Sequence, residues 1–388
     1  MSQESDAAHA DCLRVVQASG GTLAWHVGCY ELVRSLLGDE RLGLAHPLPR
    51  LASRLLDSPM VGPLDVTPEQ ERAQHDLMRQ VTQTIASWRG SQRLRHLIQR
   101  IVDDHVRRLA DAPQPANFHQ LIAAPVPRTV VGAILGVSDN DQEHLGTLIE
   151  RTQDGHDWHR ASAAVTQLQD YMLRQLQERA RAPREDLLTV LAQTDSSWQA
   201  TGTPAPPMQN LAALILIAGS ITPTSVIDHG LLLLLAHPEQ RALLDEEELA
   251  PGLIDEIVRV RSFLRSPPKT NPPNGLSRYA NTSFQLADAQ INVGDLMILD
   301  THTANYDEGQ FANPYDFDGG RRRNPHLGFG YGRHRCPGAN LARLELELLY
   351  RAIFRRLPTL RLAMSPNDLL DEIRRDGGAV RTVPVVWD

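Results

Sequence analysis

The sequence predicts a mainly α fold with small β-sheets, and three observations predict it. Apolar residues recur at helical spacing through most of the chain. Short alternating runs are confined to residues 277–300 and the C-terminal tail. No repeat at solenoid spacing and no low-complexity block interrupts this texture. With 388 residues the chain is long enough for a sizeable core, and 41% hydrophobic with 22% charged residues is a globular composition.

Residues 68–111 read as helical, with Leu77, Val81, Ile85, Leu94, Ile98, Val102, Val106 and Leu109 between charged faces. Residues 126–153 and 161–179 follow the same pattern. A polar, proline-containing stretch, Ser196 to Pro207, precedes a long apolar helix at 208–236, which His237–Pro238 should stop. Helical signals resume at 239–263. Residues 264–276 hold four prolines and a glycine and read as a loop. Tyr279, Phe284, Leu286, Ile291, Val293, Leu296 and Ile298 alternate as in a small antiparallel sheet. A helix follows at 339–357, and the tail from Gly377 to Asp388 is β-like. These elements are expected to interweave as one domain, 1–388.

Charge and cysteine content narrow the function classes. Thirty-nine basic against 47 acidic residues leave a net charge of −8, so nothing global suggests a nucleic-acid partner. The N-terminus is acidic and polar and does not read as a signal peptide. The apolar runs Leu211–Gly219 and Leu231–Ala236 each fall short of the roughly 20 residues a bilayer span requires. The expectation is a cytoplasmic protein with no membrane partner. Three cysteines in a chain this long argue against a disulfide framework and suit a reducing compartment. Cys12 and Cys29 read as small hydrophobic side chains. Lys269 is the sole lysine, a bias that reads as codon usage in a GC-rich genome.

The segment HLGFGYGRHRCPGANLARLE (His326–Glu345) is the most informative. Its glycines let the backbone turn tightly and approach something closely. Cys336 stands just before a helix, where free N–H groups and the helix dipole favour a thiolate. One cysteine with no near cysteine partner suits structural zinc poorly, although Cys336 with His326 and His334 is one such reading. Haem iron needs one axial protein ligand, and thiolate is a known choice.

This segment resembles the haem-binding signature of cytochromes P450, FxxGxxxCxG, through Phe329, Gly332, Cys336 and Gly338, with Gly330 inside it. Other matches lie in the family's order. Glu256 and Arg259 form an ExxR pair, which in the family is buried and ties its helix to the loop before the cysteine. His75 and Arg79 in HDLMR resemble HxxxR, whose cations hold a haem propionate. Arg278 aligns with the arginine that serves the other propionate, and His334 matches a further propionate contact. Ala218, Gly219 and Thr222 in AGSITPTS align with the distal AGxETT or AGxDTT motif. There small residues leave room for O2, and the threonine hydroxyl can hydrogen-bond O2 or a water. A hydroxyl bonded back to the helix is the structural reading of Thr222.

The resemblance implies the P450 fold, a triangular helical prism around one haem b bound by Cys336. The thiolate would push electron density onto iron to favour O–O cleavage. It further implies a monooxygenase that uses O2 and electrons from a separate ferredoxin and ferredoxin reductase on a small organic substrate. Hydroxylation or epoxidation in bacterial secondary metabolism is expected, with a monomeric protein.

Two departures bear on the chemistry. Ile221 replaces the distal acid, and Pro223 follows Thr222, so a kinked or opened turn is expected. The freed Gly219 carbonyl, with Ser220, Thr222 or a substrate hydroxyl, could organise waters in place of the acid. Peroxide-dependent oxidation, oxidative coupling and a non-catalytic haem-thiolate sensor are the alternative readings. The connection between Arg259 and Arg278 is several residues longer than is usual in the family. Its Phe263 and Leu264 belong either to a substrate pocket or to an exposed excursion. Arg321, Arg322, Arg323, Arg333, Arg335 and Arg343 form a candidate basic docking face for an acidic ferredoxin.

Overall fold

A computed structural model describes residues 12–18, 21–52, 66–88, 92–153, 157–199, 207–260, 275–375 and 380–388. They group into two compact units interleaved along the chain. One takes its residues from 1–77, 265–316 and 323–337, the other from 78–264, 317–322 and 338–388.

The first unit is built on a mixed sheet. Strands β1 (Leu13–Gln17) and β2 (Leu23–Val27) form an antiparallel hairpin, followed by helix α1 (Tyr30–Leu37) and β3 (Leu42–Gly43). Later come β4 (Leu276–Ala280), the hairpin β5 (Phe284–Leu286) and β6 (Ala289–Ile291), and β7 (Leu296–Leu299). The sheet order is β1-β2-β7-β4-β3; β2 runs parallel to β7, and the other pairs are antiparallel. The sequence reading found β4 to β7 but not the N-terminal hairpin that completes the sheet. Val33, Leu36 and Leu37 of α1 bury against Val27, Met297 and Leu299. A buried His26–Asp300 pair at 3.1 Å links β2 to the end of β7.

Cys12 and Cys29 are not separate bystanders. They form a disulfide across 17 residues, with Cα atoms 5.2 Å apart. Hairpin register explains it: Leu13 faces Val27, and the Gly28 N–H donates to Cys12 O at 3.0 Å, so the residues just outside the paired strands meet.

The second unit holds most of the helices: the greater part of α2 (Pro68–Trp88), then α3 (Gln92–Ala110), α4 (Pro125–Leu135), α5 (Gln142–Thr152), α6 (Trp158–Arg181), α7 (Leu187–Gln199), α8 (Met208–Ala236), α9 (Ala250–Val260) and α10 (Ala339–Arg356). The run 126–153 is two helices because Gly136 ends α4 in the left-handed region, at φ 91°. Short strands Ala116–Asn117, Arg361–Leu362 and Pro384–Val386 form a small sheet, and the last lies in the tail read as β-like. Helix Pro366–Arg375 was not foreseen.

Helix α8 joins both apolar runs into 29 residues, long and apolar enough by length and composition to cross a membrane. It packs against α4, α6 and α9 and buries Ser220, Asp228 and His229. Burial pushes the Asp228 carboxyl up, against the opposing pull of His119, which lies 2.7 Å away. The helix runs through Pro223 without the expected opened turn. Nearby hydroxyls turn inward: Ser220 donates to Leu216 O at 2.7 Å and Thr224 to Ser220 O at 2.8 Å.

Glu345 on α10 is buried, and burial raises its carboxyl to about 8. The folded protein therefore holds a proton that the unfolded chain releases near the ordinary carboxylate value. Its stabilising effect is complete below that value and is lost as pH rises to about 8. Melting temperatures from pH 5 to 8.5 are expected to fall more steeply for the wild type than for Glu345→Gln. The limiting difference in slope is about 1.4 kcal/mol per pH unit.

Candidate functional site

Within the first unit, residues 325–336 make a loop held at several points. The Cys336 N–H donates to Phe329 O at 2.8 Å, and Gly330 N–H to Leu327 O at 2.9 Å. Gly330 and Gly332 take φ of 67° and 68°, a region that strains side-chain-bearing residues. A Cβ on Gly332 would lie 2.7 Å from Gly38 Cα and Leu37 O, at the end of α1. Tyr30 donates its hydroxyl to Pro325 O at 2.6 Å, and Leu327 N–H donates to Asn305 Oδ1 at 2.7 Å. Arg34 lies over the Tyr331 ring at 4.5 Å. Cys336 ends this braced loop, partly buried and outside the disulfide. Gly338 is the N-cap of α10. Among the described residues no group of three or more His, Cys, Asp or Glu is placed to hold a metal, so the zinc reading gains no support.

Arg278, on β4, belongs to the same unit as this loop, as do Glu71 and His75 of α2 and Arg333 and His334. Arg278 is buried, and desolvation, opposed by Glu71, lowers its guanidinium to about 10. The His75 and His334 rings meet edge to face at 4.7 Å, and His334 Nε2 stands 3.4 Å from Glu71 Oε1. Burial first, and then the positive charge of Arg278, lower His334 to about 3, so its imidazole is neutral near pH 7. Burial raises the Glu71 carboxyl, while Arg333 and Arg278 oppose the rise. Sequence reasoning missed Glu71. Its signal was the i, i+4, i+8 stripe Glu71–His75–Arg79 on one helix face. Arg79 itself is exposed.

The second unit contains the remaining motifs. Leu214, Ala218 and Thr222 are exposed at i, i+4 and i+8, an open stripe on the otherwise apolar α8. The Thr222 hydroxyl makes no back-bond to Ala218 O among the described residues, unlike those of Ser220 and Thr224. Gly219 lies off this stripe. A Cβ there would stand 2.9 Å from Val131 Cγ2, so its small size also serves the close packing of α4 on α8. Ser220, bonded back and buried, is removed from the candidate water-organising groups.

Glu256 and Arg259 of α9 have fully buried side chains. Arg259 Nε and Nη2 donate to Glu256 Oε2 and Oε1 at 2.8 and 2.7 Å. Asp318 N–H donates to Glu256 Oε1 at 3.0 Å, and Arg321 Nε lies 3.3 Å from Oε2. The proposed arginine face is therefore smaller than expected. Arg321 is spent on Glu256 and Arg343 on Asp255 at 2.6 Å, while Arg322, Arg323, Arg333 and Arg335 are exposed. Phe263 and Leu264 lie outside the described residues.

The cytochrome P450 family model matches residues 146–372, more than half of the chain. The chain belongs to the cytochrome P450 family. Pentalenolactone synthase of Streptomyces exfoliatus is 31% identical over 95% of this P450 and 92% of its own length. Mycinamicin VIII C21 methyl hydroxylase of Micromonospora griseorubida is 32% identical over 90% and 87%. The crystal structure of substrate-free PimD, a polyene macrolide antibiotic pimaricin epoxidase, superposes with a TM-score of 0.79 at 27% identity, covering 100% of this chain and 96% of that one. The protein is a P450 monooxygenase with the mainly helical P450 fold, and its cofactor is haem b. The residues fit that cofactor. Cys336 is a thiol outside the disulfide on a braced loop, and Arg278 is a buried guanidinium whose opposing charge is Glu71. Such a site is undercompensated, and carboxylates of a ligand would complete it.

Glu256→Ala is expected to cost about 3–5 kcal/mol, because it removes the bidentate carboxylate partner of the buried Arg259 charge. The check is denaturant unfolding of the apoprotein beside the holoenzyme, with the loss present in both.

Proposed function

We propose that this P450 hydroxylates or epoxidises a small organic molecule of bacterial secondary metabolism, with electrons from a separate ferredoxin and ferredoxin reductase. The observation that carries the reading is Cys336 on its glycine-braced loop, in one compact unit with Arg278, His75 and His334. Three tailoring enzymes among the relatives and structural neighbours support the substrate class. The chain is proposed to act as one cytoplasmic, monomeric domain over 1–388.

In this reading Cys336 supplies the thiolate, and the Phe329 carbonyl fixes its backbone. Phe329, Gly330 and Gly338 shape the ligand loop and the start of the following helix. His75, Arg79, Arg278 and His334 hold the haem carboxylates, with neutral His334 donating one N–H and the arginines supplying the charge. When bound, haem provides reductive activation of O2 and insertion of one oxygen atom into substrate.

Proton handling falls to α8. Ile221 offers no acid, and Ser220 is committed to Leu216 O. The Thr222 hydroxyl, on the open stripe with Ala218, can hold a proton or a water at Oγ1. Pro223 leaves the Gly219 carbonyl without its i+4 donor, an acceptor for a second water. Water or a substrate hydroxyl then takes the acid's place. The absence of an acid at Ile221 also favours a second reading, peroxide-dependent oxidation or oxidative coupling.

Cys336→Ser is expected to abolish the reduced carbon-monoxide band of thiolate-ligated haem while leaving far-ultraviolet circular dichroism unchanged. Ile221→Glu separates the two readings of turnover. An O2-dependent hydroxylase limited by proton supply should form more product and less peroxide per NADH with a surrogate ferredoxin. An unchanged ratio, together with product formed from added peroxide, favours the second.

A further inference from the structure

A cavity of about 630 Å3 opens between α3 and α10, within the second unit. It shares no residue with the site described above. Five arginines line it, Arg95 and Arg107 from α3 and Arg351, Arg355 and Arg356 from α10, against one acid, Asp103. In a chain of net charge −8 this concentration runs against the overall composition.

Nearby acids do not neutralise the set. Glu347 is divided between Arg95 at 3.4 Å and Arg351 at 3.1 Å. Asp104 is divided between Arg107 at 3.2 Å and Arg108 at 2.6 Å. Asp103 accepts from Gln99 Nε2 at 2.8 Å. Arg355 and Arg356 have no ion pair among the described residues. The Nη2 of Arg351 is buried without a hydrogen-bond partner, a costly state for a charged donor.

Helix-end electrostatics accounts for part of the cluster. Arg107, Arg355 and Arg356 occupy the last turns of their helices, where cations are favourable. Arg95 lies near the start of α3, where a cation is unfavourable, and Arg351 lies inside α10. Glu347 pairs with both, and Arg351 Nε also donates to Leu244 O. Arg95 and Arg107 are separated by about 18 Å of helix, so positive charge is offered at both ends of the cavity. Aliphatic lining comes from Val106, Leu348 and Ala352. The volume lies in the range of small-ligand sites.

We propose that this cavity binds a small organic polyanion, with two or more phosphate or carboxylate groups beside an apolar portion, of about nucleoside diphosphate size. Guanidinium forks suit both anion types, and Arg355 and Arg356 line the cavity exposed, with no ion pair among the described residues.

Isothermal titration of the holoenzyme with ADP, pyrophosphate and citrate at low salt tests this. Saturable binding of at least one is expected, preferring the phosphates or citrate according to the anion the site takes. Arg355→Ala/Arg356→Ala should weaken it at least ten-fold, and Arg174→Ala on α6 should not. Melting temperature and the reduced carbon-monoxide spectrum report whether the double variant folds. If it does not, Arg351→Met is titrated in its place, with the same weakening expected. No saturable binding by the three probes, or binding that the substitutions leave within two-fold, overturns the proposal. Binding of an acidic ferredoxin at these arginines without any of the small anions overturns it too, and assigns the surface to a protein partner.

Discussion

A carboxylate with no exposed surface must be surrounded by donors, and at Glu256 that requirement gathers distant parts of the chain. Nε and Nη2 of Arg259, the Asp318 amide and the Arg321 side chain converge on its two oxygens. A buried charge pair is poor evidence of net stability against an apolar replacement, but removal of one member is severe. The arrangement therefore acts as a constraint: α9 and the segment 317–322 hold each other in place. From that segment the chain passes directly into the loop that ends at Cys336.

The first unit solves its own problem largely with backbone. A reactive thiolate needs a defined position, and loops ordinarily supply one less well than helices or strands. Here hydrogen bonds from Tyr30 and Leu327 fix the loop's entry, and the Cys336 amide closes it. Each such bond contributes about 1 kcal/mol net, so it is their convergence that matters. Glu71 extends the logic to side chains. Its carboxyl opposes the desolvation of Arg278, and it approaches His334 without forming a fully compensated cluster.

The fold and the site were unequally legible in the sequence. Local signals reported local structure well: α8 ends where His237–Pro238 says it should, and α10 begins just after the cysteine loop. The N-terminal hairpin escaped because its five-residue strands carry Trp25 and His26, and because β2 completes its pairing about 270 residues away on β7. The Cys12–Cys29 bridge escaped for the same reason, since it follows from hairpin register. At the site, motif spacing pointed to Cys336, His75, Arg278 and the Glu256–Arg259 pair. Spacing could not show how side chains would be shared. Ser220 bonds to its own helix, Arg321 and Arg343 find buried or half-buried acids, and Glu71 joins a cluster read as purely cationic.

The meeting of Gly332 with Gly38 has a mechanical meaning. Most contacts between elements can yield by rotating a side chain, but here backbone meets backbone and neither residue has a rotamer to change. Helix α1 and the cysteine loop thus cannot adjust to each other here by a change of rotamer. The peptide four positions before Cys336 therefore sits against the end of α1 with no space for a side chain between them. The path of the cysteine loop is bounded by a helix that begins some 300 residues earlier in the chain.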